Sequence, residues 1–182
     1  MYGVLAYFDS ETEKYFKNLW QQLVDNNISY YSEEVKDRRP HITIADYNKL
    51  DEKKFIKDMD KFYNSKPKIQ VTLSVLGTFL NSGTLFIAPT LSKELLNFHN
   101  RYHEYFEQYN DEPSSFYLPD KWIPHCTIAN RLSQKKLLDA FNYCSQNIGI
   151  IKAQISELTL IKIKNEINNS HEVSIVFSKI FL

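Results

Sequence analysis

The apolar positions of this chain switch between a period of two and a period of three to four, and the switches divide it into alternating strands and helices. Residues 2–8 read as a strand. A helix over 10–26 follows, with Phe16, Leu19, Trp20 and Leu23 at helical spacing. A strand over 41–46 leads to a helix from Asp51 to Tyr63 with Phe55, Ile56, Met59, Phe62 and Tyr63 on one side, then to a strand at 68–76 that extends toward Leu80. Asn81-Ser82-Gly83 is a turn signal. The second half gives a strand at 84–88, a helix at 91–108, a strand at 123–130, a helix at 133–147 and closing strands at 152–163 and 171–181, with NEINNS (165–170) as a hairpin or loose loop.

The order of elements repeats, and so do the residues. Pro40-His41-Ile42-Thr43-Ile44-Ala45 recurs as Pro124-His125-Cys126-Thr127-Ile128-Ala129, 84 positions on. At the same offset Lys68-Ile69-Gln70-Val71-Thr72 meets Lys152-Ala153-Gln154-Ile155-Ser156. Two matches at one offset point to an internal duplication. The expectation is an α+β, bilobal duplicated fold with two small mixed or antiparallel sheets, flanked by helices, around a shared central cleft. It forms a single domain over 1–182, with a first lobe near 1–80, a second near 84–182 and room for strand exchange between them. No flexible linker separates the halves, so they are expected to share an interface.

On a strand, positions i and i+2 face the same side. His41 therefore points with Thr43, and His125 with Thr127, while Ile42, Ile44, Cys126 and Ile128 point into the core. If the halves pack about a pseudo-twofold axis, two imidazoles and two hydroxyls meet in one cleft. That set suits phosphoryl transfer: a neutral imidazole takes a proton, a protonated one gives a proton to the leaving oxygen, and the hydroxyls donate to nonbridging phosphate oxygens. A single His-x-Thr is as easily a packed strand; the doubled P-H-x-T-I-A favours chemistry. Pro40 and Pro124 fix the entry to each strand.

Composition removes several other classes. The 182 residues carry 22 basic and 22 acidic side chains, so no net field draws the chain onto nucleic acid or a membrane, and a nucleotide or short RNA end must be held by a local site. Aromatic residues at 14% and an apolar share of 43% provide for a sizeable core. Two cysteines without a C-x-x-C pair form neither a disulfide scaffold nor a structural zinc site, which reads as an intracellular, cytoplasmic protein, here taken as a monomer. The opening apolar run meets Asp9, Glu11 and Glu13 where a signal peptide would continue, and no segment approaches the roughly 18 apolar residues of a membrane span.

PHITIA and WIPHCTIA, together with TLFIAPTLSKELLNFHNRYHEYF, make the whole chain resemble the 2H phosphoesterase superfamily, in its bacterial 2′-5′ RNA ligase-like and cyclic phosphodiesterase branch. The resemblance implies a bilobal α+β fold, no metal or other cofactor, and action on 2′,3′-cyclic phosphates or 2′-5′ phosphodiester bonds. By motif position it makes His41 and His125 catalytic, as acid and base respectively, and Thr43 and Thr127 phosphate-binding. Many members have an arginine five positions after the second histidine; here that position is Asn130 and Arg131 follows, so a clamp role for Arg131 requires a bulge or a strand end. A noncatalytic module that binds an RNA end or cyclic nucleotide, and a scaffold without turnover, stay open as alternatives.

Further substrate contacts come from position beside the motifs. Arg38 and Arg39 precede the first and offer donor forks. Tyr117, Lys121 and Trp122 precede the second, where an aromatic ring stacks on a base and a lysine meets phosphate, against a plain core role for Trp122. Tyr7, Phe8 and Phe86 lie on the first strands of the two halves, which the resemblance implies border the shared cleft. His99 and His103 share a helix face but lack further ligands for a metal, so packing is the simpler reading. His171 reads as turn-capping or exposed, and Cys126 as buried rather than nucleophilic. Neither Gly77 nor Gly83 belongs to an ATP or dinucleotide motif.

Overall fold

The structure, a computed structural model, describes residues 1–165 and 171–182. In chain order the regular elements are β1 (Tyr2–Phe8), α1 (Ser10–Asp25), β2 (His41–Tyr47), α2 (Glu52–Phe62), β3 (Ile69–Thr78), β4 (Leu85–Pro89), α3 (Lys93–Tyr105), β5 (Cys126–Ala129), α4 (Gln134–Asn147), β6 (Ile151–Asn165) and β7 (His171–Ile180). A 3₁₀ turn at Tyr31–Glu33 has no counterpart in the apolar pattern. Every α-helix starts on a side chain that accepts the N–H three residues on: Asp9 from Thr12, Asp51 from Lys54, Ser92 from Leu95 and Ser133 from Lys136. Such caps contribute about 1 kcal/mol each by satisfying an otherwise orphaned donor.

The α+β class holds, but the expected pair of small sheets is replaced by one seven-stranded sheet in the order β2-β1-β6-β3-β4-β5, with β7 also on β6. All of its pairings among the described residues are antiparallel. The reason lies in β6, which continues as one strand for 15 residues. One of its edges pairs β1 from Ile155 to Lys162; the other pairs β3 over Ile151–Ile155 and then β7 from Glu157 onward. Splitting the sheet would leave backbone donors and acceptors of β6 unpaired in the interior. The strand β3, from the first half of the chain, thus lies between β4 and β6, both from the second.

One face of the sheet carries the core. Val4, Ala6 and Phe8 of β1, Ile42 and Ile44 of β2, and Leu158 and Leu160 of β6 join apolar residues of all four helices in one cluster. On the opposite face Leu5, Tyr7 and Ile161 form a smaller cluster. The turn before β4 is a left-handed one, with Asn81 at φ 59° and Gly83 at φ 64°. A Cβ on Gly83 would come within 2.3 Å of the Leu132 carbonyl oxygen, so the residue also lets the β5–α4 connection dock there. Residues 166–170 of the NEINNS segment, and the side chain of His171, lie outside the described residues. No helix among the described residues is long and apolar enough to cross a membrane.

Candidate active site

Strands β2 and β5 are the outer strands of the sheet, yet they return into contact with one another. The contact occurs at the motifs themselves, where the backbone N–H of His41 acts on the thiol of Cys126. Along each strand the alternation places Ile42, Ile44, Cys126 and Ile128 at 0% exposure, and leaves His41, Thr43, His125 and Thr127 half-buried on the other side. Directly after each His-x-Thr the register skips one residue. Leu5 faces Thr43 and Val4 faces Ala45, omitting Ile44; Phe86 faces Thr127 and Leu85 faces Ala129, omitting Ile128. The same bulge at the same motif position bends both strands alike.

The two imidazoles are held alike as well. His41 Nδ1 lies 2.8 Å from the Arg39 carbonyl oxygen, and His125 Nδ1 lies 2.7 Å from that of Ile123, each two residues upstream across a proline. A carbonyl only accepts, so each Nδ1 carries the proton and each neutral ring keeps its Nε2 lone pair free. A residue before proline is confined to extended backbone, which sets the direction of that carbonyl.

The surroundings differ. His41 meets the edge of Tyr7 at 5.9 Å between centroids and borders a cavity of about 520 Å³ lined also by Tyr7, Arg38, Arg39, Thr43 and Tyr117. Burial pushes His41 down to about 4; the positive charges of Arg38, His125 and Arg39 act in the same direction, and the Arg39 carbonyl opposes them. His125 sits between Phe79, at 4.8 Å, and Phe86, at 5.2 Å, and burial lowers its pKa too, against the Ile123 carbonyl. Gly77 makes room for that arrangement, because a Cβ there would lie 2.6 Å from the Phe86 ring. Both histidines are thus neutral at pH 7 in the free protein, and close enough for their charges to interact.

The other sequence candidates separate into three groups. Tyr7, Arg38, Arg39 and Tyr117 line the cavity beside His41, with the Tyr117 phenol in reach of the Thr43 hydroxyl. Phe86 packs on His125, while Phe8 turns into the core against Phe16. Trp122, Lys121 and Arg131 do not line the cavity. Trp122 stacks on His99 at 3.8 Å with an interplanar angle of 3° and donates from Nε1 to the Thr43 carbonyl at 2.9 Å. Lys121 donates to the Pro113 carbonyl at the surface. The strand ends before Arg131, which has φ 55°, is exposed and donates its backbone N–H to Asn130 Oδ1. Sequence reasoning missed Phe79, one residue past the end of β3, and Tyr31, ten residues before His41 in an unpatterned segment.

His99 and His103 pack, as their spacing suggests. His99 Nε2 donates to the Tyr117 carbonyl and His103 Nε2 to that of Ile44, the bulged residue of β2. Together with Trp122 they brace the first motif strand from the second half of the chain. Among the described residues no group of three or more His, Cys, Asp or Glu side chains is placed to hold a metal ion. Burial raises the thiol pKa of Cys126 far beyond the range in which a thiolate nucleophile forms at neutral pH.

Burial, reinforced by His103, pushes His99 down to about 4. Its folded pKa lies below the unfolded value of about 6.5, so the unfolded chain binds the proton first and stability falls as pH drops through that window. His99 alone is expected to remove about 3 kcal/mol between pH 6.5 and 4, with His41 adding in the same direction. Asp9 and Glu157, whose pKa values are lowered, lose their contributions only below about pH 4.5. Urea midpoints should be level from pH 8 to 7 and fall steeply below 6.5; a level profile down to pH 4.5 would contradict this.

The model of the 2′-5′ RNA ligase superfamily matches residues 10–166. No curated protein matches the chain. Among solved structures, Escherichia coli LigT in its apo form aligns at a TM-score of 0.60 and 13% identity, over 99% of this chain and 96% of that one. LigT complexed with 3′-AMP aligns at 0.58 and 13% over the same shares. The protein TT0787 of Thermus thermophilus aligns at 0.60 and 11%, over 97% and 95%. At such identities these structures establish a common fold, and the family match covers the segment that contains both motifs. The chain shares the fold of LigT and belongs to the 2′-5′ RNA ligase superfamily.

Proposed function

We propose that this protein hydrolyses a nucleotide or RNA-end 2′,3′-cyclic phosphate, without a metal, by proton transfer between His125, His41 and the substrate. The observation that carries the reading is the equivalence of the two imidazoles: each is fixed through Nδ1 to a carbonyl two residues upstream, which leaves its Nε2 for substrate. Two half-domains, one per motif, then act on one phosphate from opposite sides.

In this scheme the phosphate lies between the motifs, with the Thr43 and Thr127 hydroxyls donating to its nonbridging oxygens. His125 Nε2 takes a proton from water as the water oxygen forms its bond to phosphorus. The bond from phosphorus to one ribose oxygen breaks, and His41 Nε2–H delivers a proton to that oxygen, leaving a phosphomonoester. The assignment of His41 as acid follows the family resemblance. Its neutrality in the free protein is no obstacle, because an anionic phosphate beside a buried imidazole favours the protonated form.

The same pair can assist attack by a neighbouring 3′-hydroxyl on a 2′-5′ linkage. Product analysis on nucleoside 2′,3′-cyclic phosphates and 2′-5′-linked dinucleotides, with and without EDTA, separates the readings. The expected result is a phosphomonoester from the cyclic phosphates, at a rate EDTA does not change. Cleavage confined to 2′-5′ dinucleotides would move the bond class; tight binding without turnover would make the protein a binding module.

A further inference from the structure

We propose that Arg38 is the anion clamp of this site and holds the substrate phosphate against His41, an inference that rests on the phosphoesterase reading above. The two arginines before the first motif look interchangeable in the sequence, and the structure distinguishes them. Arg39 is committed: its Nε donates to Glu13 at 3.0 Å, one terminal nitrogen donates to Glu157 at 2.9 Å, and the guanidinium lies 3.9 Å from the Tyr7 ring centroid. Two carboxylates neutralise its charge.

Arg38 is held in place but not used up. Its guanidinium lies 3.8 Å from the Tyr31 ring centroid, and its one ion pair among the described residues is a 3.4 Å contact with Glu34. The side chain is only 14% exposed, and its Nε is buried without a hydrogen-bond partner among the described residues. A guanidinium keeps its charge and offers five donors in a fixed fork, so a buried unmatched donor beside a polar cavity calls for an anionic acceptor. Arg38 lines the cavity with His41 and Thr43. Through Tyr31, whose surroundings also include Cys126 and Thr127, it reaches the second motif strand.

The second motif does not provide this charge. Asn130 spends its Oδ1 on the Thr84 hydroxyl, at 2.7 Å, and on the Arg131 backbone, and Arg131, although the strand ends before it, is exposed and does not line the cavity. A clamp at Arg38 has a further consequence for His41. The charged or titratable groups facing that ring are Arg38, the carboxylate-paired Arg39 and His125, with Lys36, Asp37 and Asp46 elsewhere on the cavity wall. In the free protein Arg38 opposes protonation of His41; phosphate bound on Arg38 cancels that opposition, so the acid is charged when the substrate arrives.

Arg38→Met preserves length and packing on Tyr31 while removing charge and donors. Calorimetry with inorganic phosphate is expected to show binding weakened by about tenfold or more, and NMR of the free variant an upward shift in the His41 ring pKa. On whichever phosphodiester the wild type cleaves, KM should rise more than kcat falls. Arg38→Lys, which keeps charge but loses the fork, should weaken phosphate binding less and leave the His41 pKa in place; it carries the test if the methionine variant does not fold. Unchanged phosphate affinity in the variants, or a His41 pKa unmoved in Arg38→Met, overturns the clamp while wild-type turnover leaves the phosphoesterase reading standing. A wild type that neither binds phosphate nor turns over either substrate class overturns both.

Discussion

His41→Ala and His125→Ala are each expected to lower kcat on the preferred phosphodiester by about 10³-fold, within the roughly 10² to 10⁴ typical of a positioned acid or base. Each ring has one anchoring hydrogen bond and a half-exposed face, so the fold should survive either change. The double variant should be little worse than the single ones, because acid and base act in one transition state and removing either already disables the concerted path. Rates from single turnovers, with urea midpoints as a control for folding, decide the matter. A loss below tenfold in either single variant would remove that histidine from proton transfer.

The second large effect falls on a residue that does not line the cavity. Trp122→Ala removes the ring stacked on His99 and the Nε1 donor to the Thr43 carbonyl, and is expected to cost about 3 kcal/mol of stability. Because that carbonyl belongs to the motif strand, kcat should fall as well, through displacement of His41 and Thr43. Trp122→Phe keeps most of the stack and loses the hydrogen bond, so it should cost about 1 kcal/mol. Urea melts and kcat for the two variants test this together; an alanine variant within about 0.5 kcal/mol of wild type would show that the brace is not structural.

These contacts show why part of the architecture was legible and part was not. The helices and most strands follow from local periodicity: Phe16, Leu19, Trp20 and Leu23 mark α1, and all four are buried. The His-x-Thr alternation is likewise local, since Ile42 and Cys126 must turn inward when the polar residues turn out. Sheet membership depends on distant partners. That β6 would carry β1 on one edge and both β3 and β7 on the other is set by pairings across up to about 160 residues, which no window of sequence displays.

The site shows the same division. The duplicated motif pointed to His41, Thr43, His125 and Thr127, but proximity to a motif did not tell lining from bracing. Trp122 stands three residues before His125 and yet binds the first motif strand; Lys121, its neighbour, reaches the Pro113 carbonyl. Phe79 meets His125 only because β3 runs beside β4, and Tyr31 meets Arg38 through a 3₁₀ turn without apolar periodicity. Arg39 is set apart from Arg38 by Glu13 and Glu157, carboxylates from two separate elements.

Whether both histidines serve one phosphate is decided by titrating the ring resonances of His41 and His125 with inorganic phosphate. Both sets are expected to shift along one saturation curve with a common midpoint, and both ring pKa values to rise on binding. Shifts at one histidine alone, or two curves with separate midpoints, would contradict a shared phosphate.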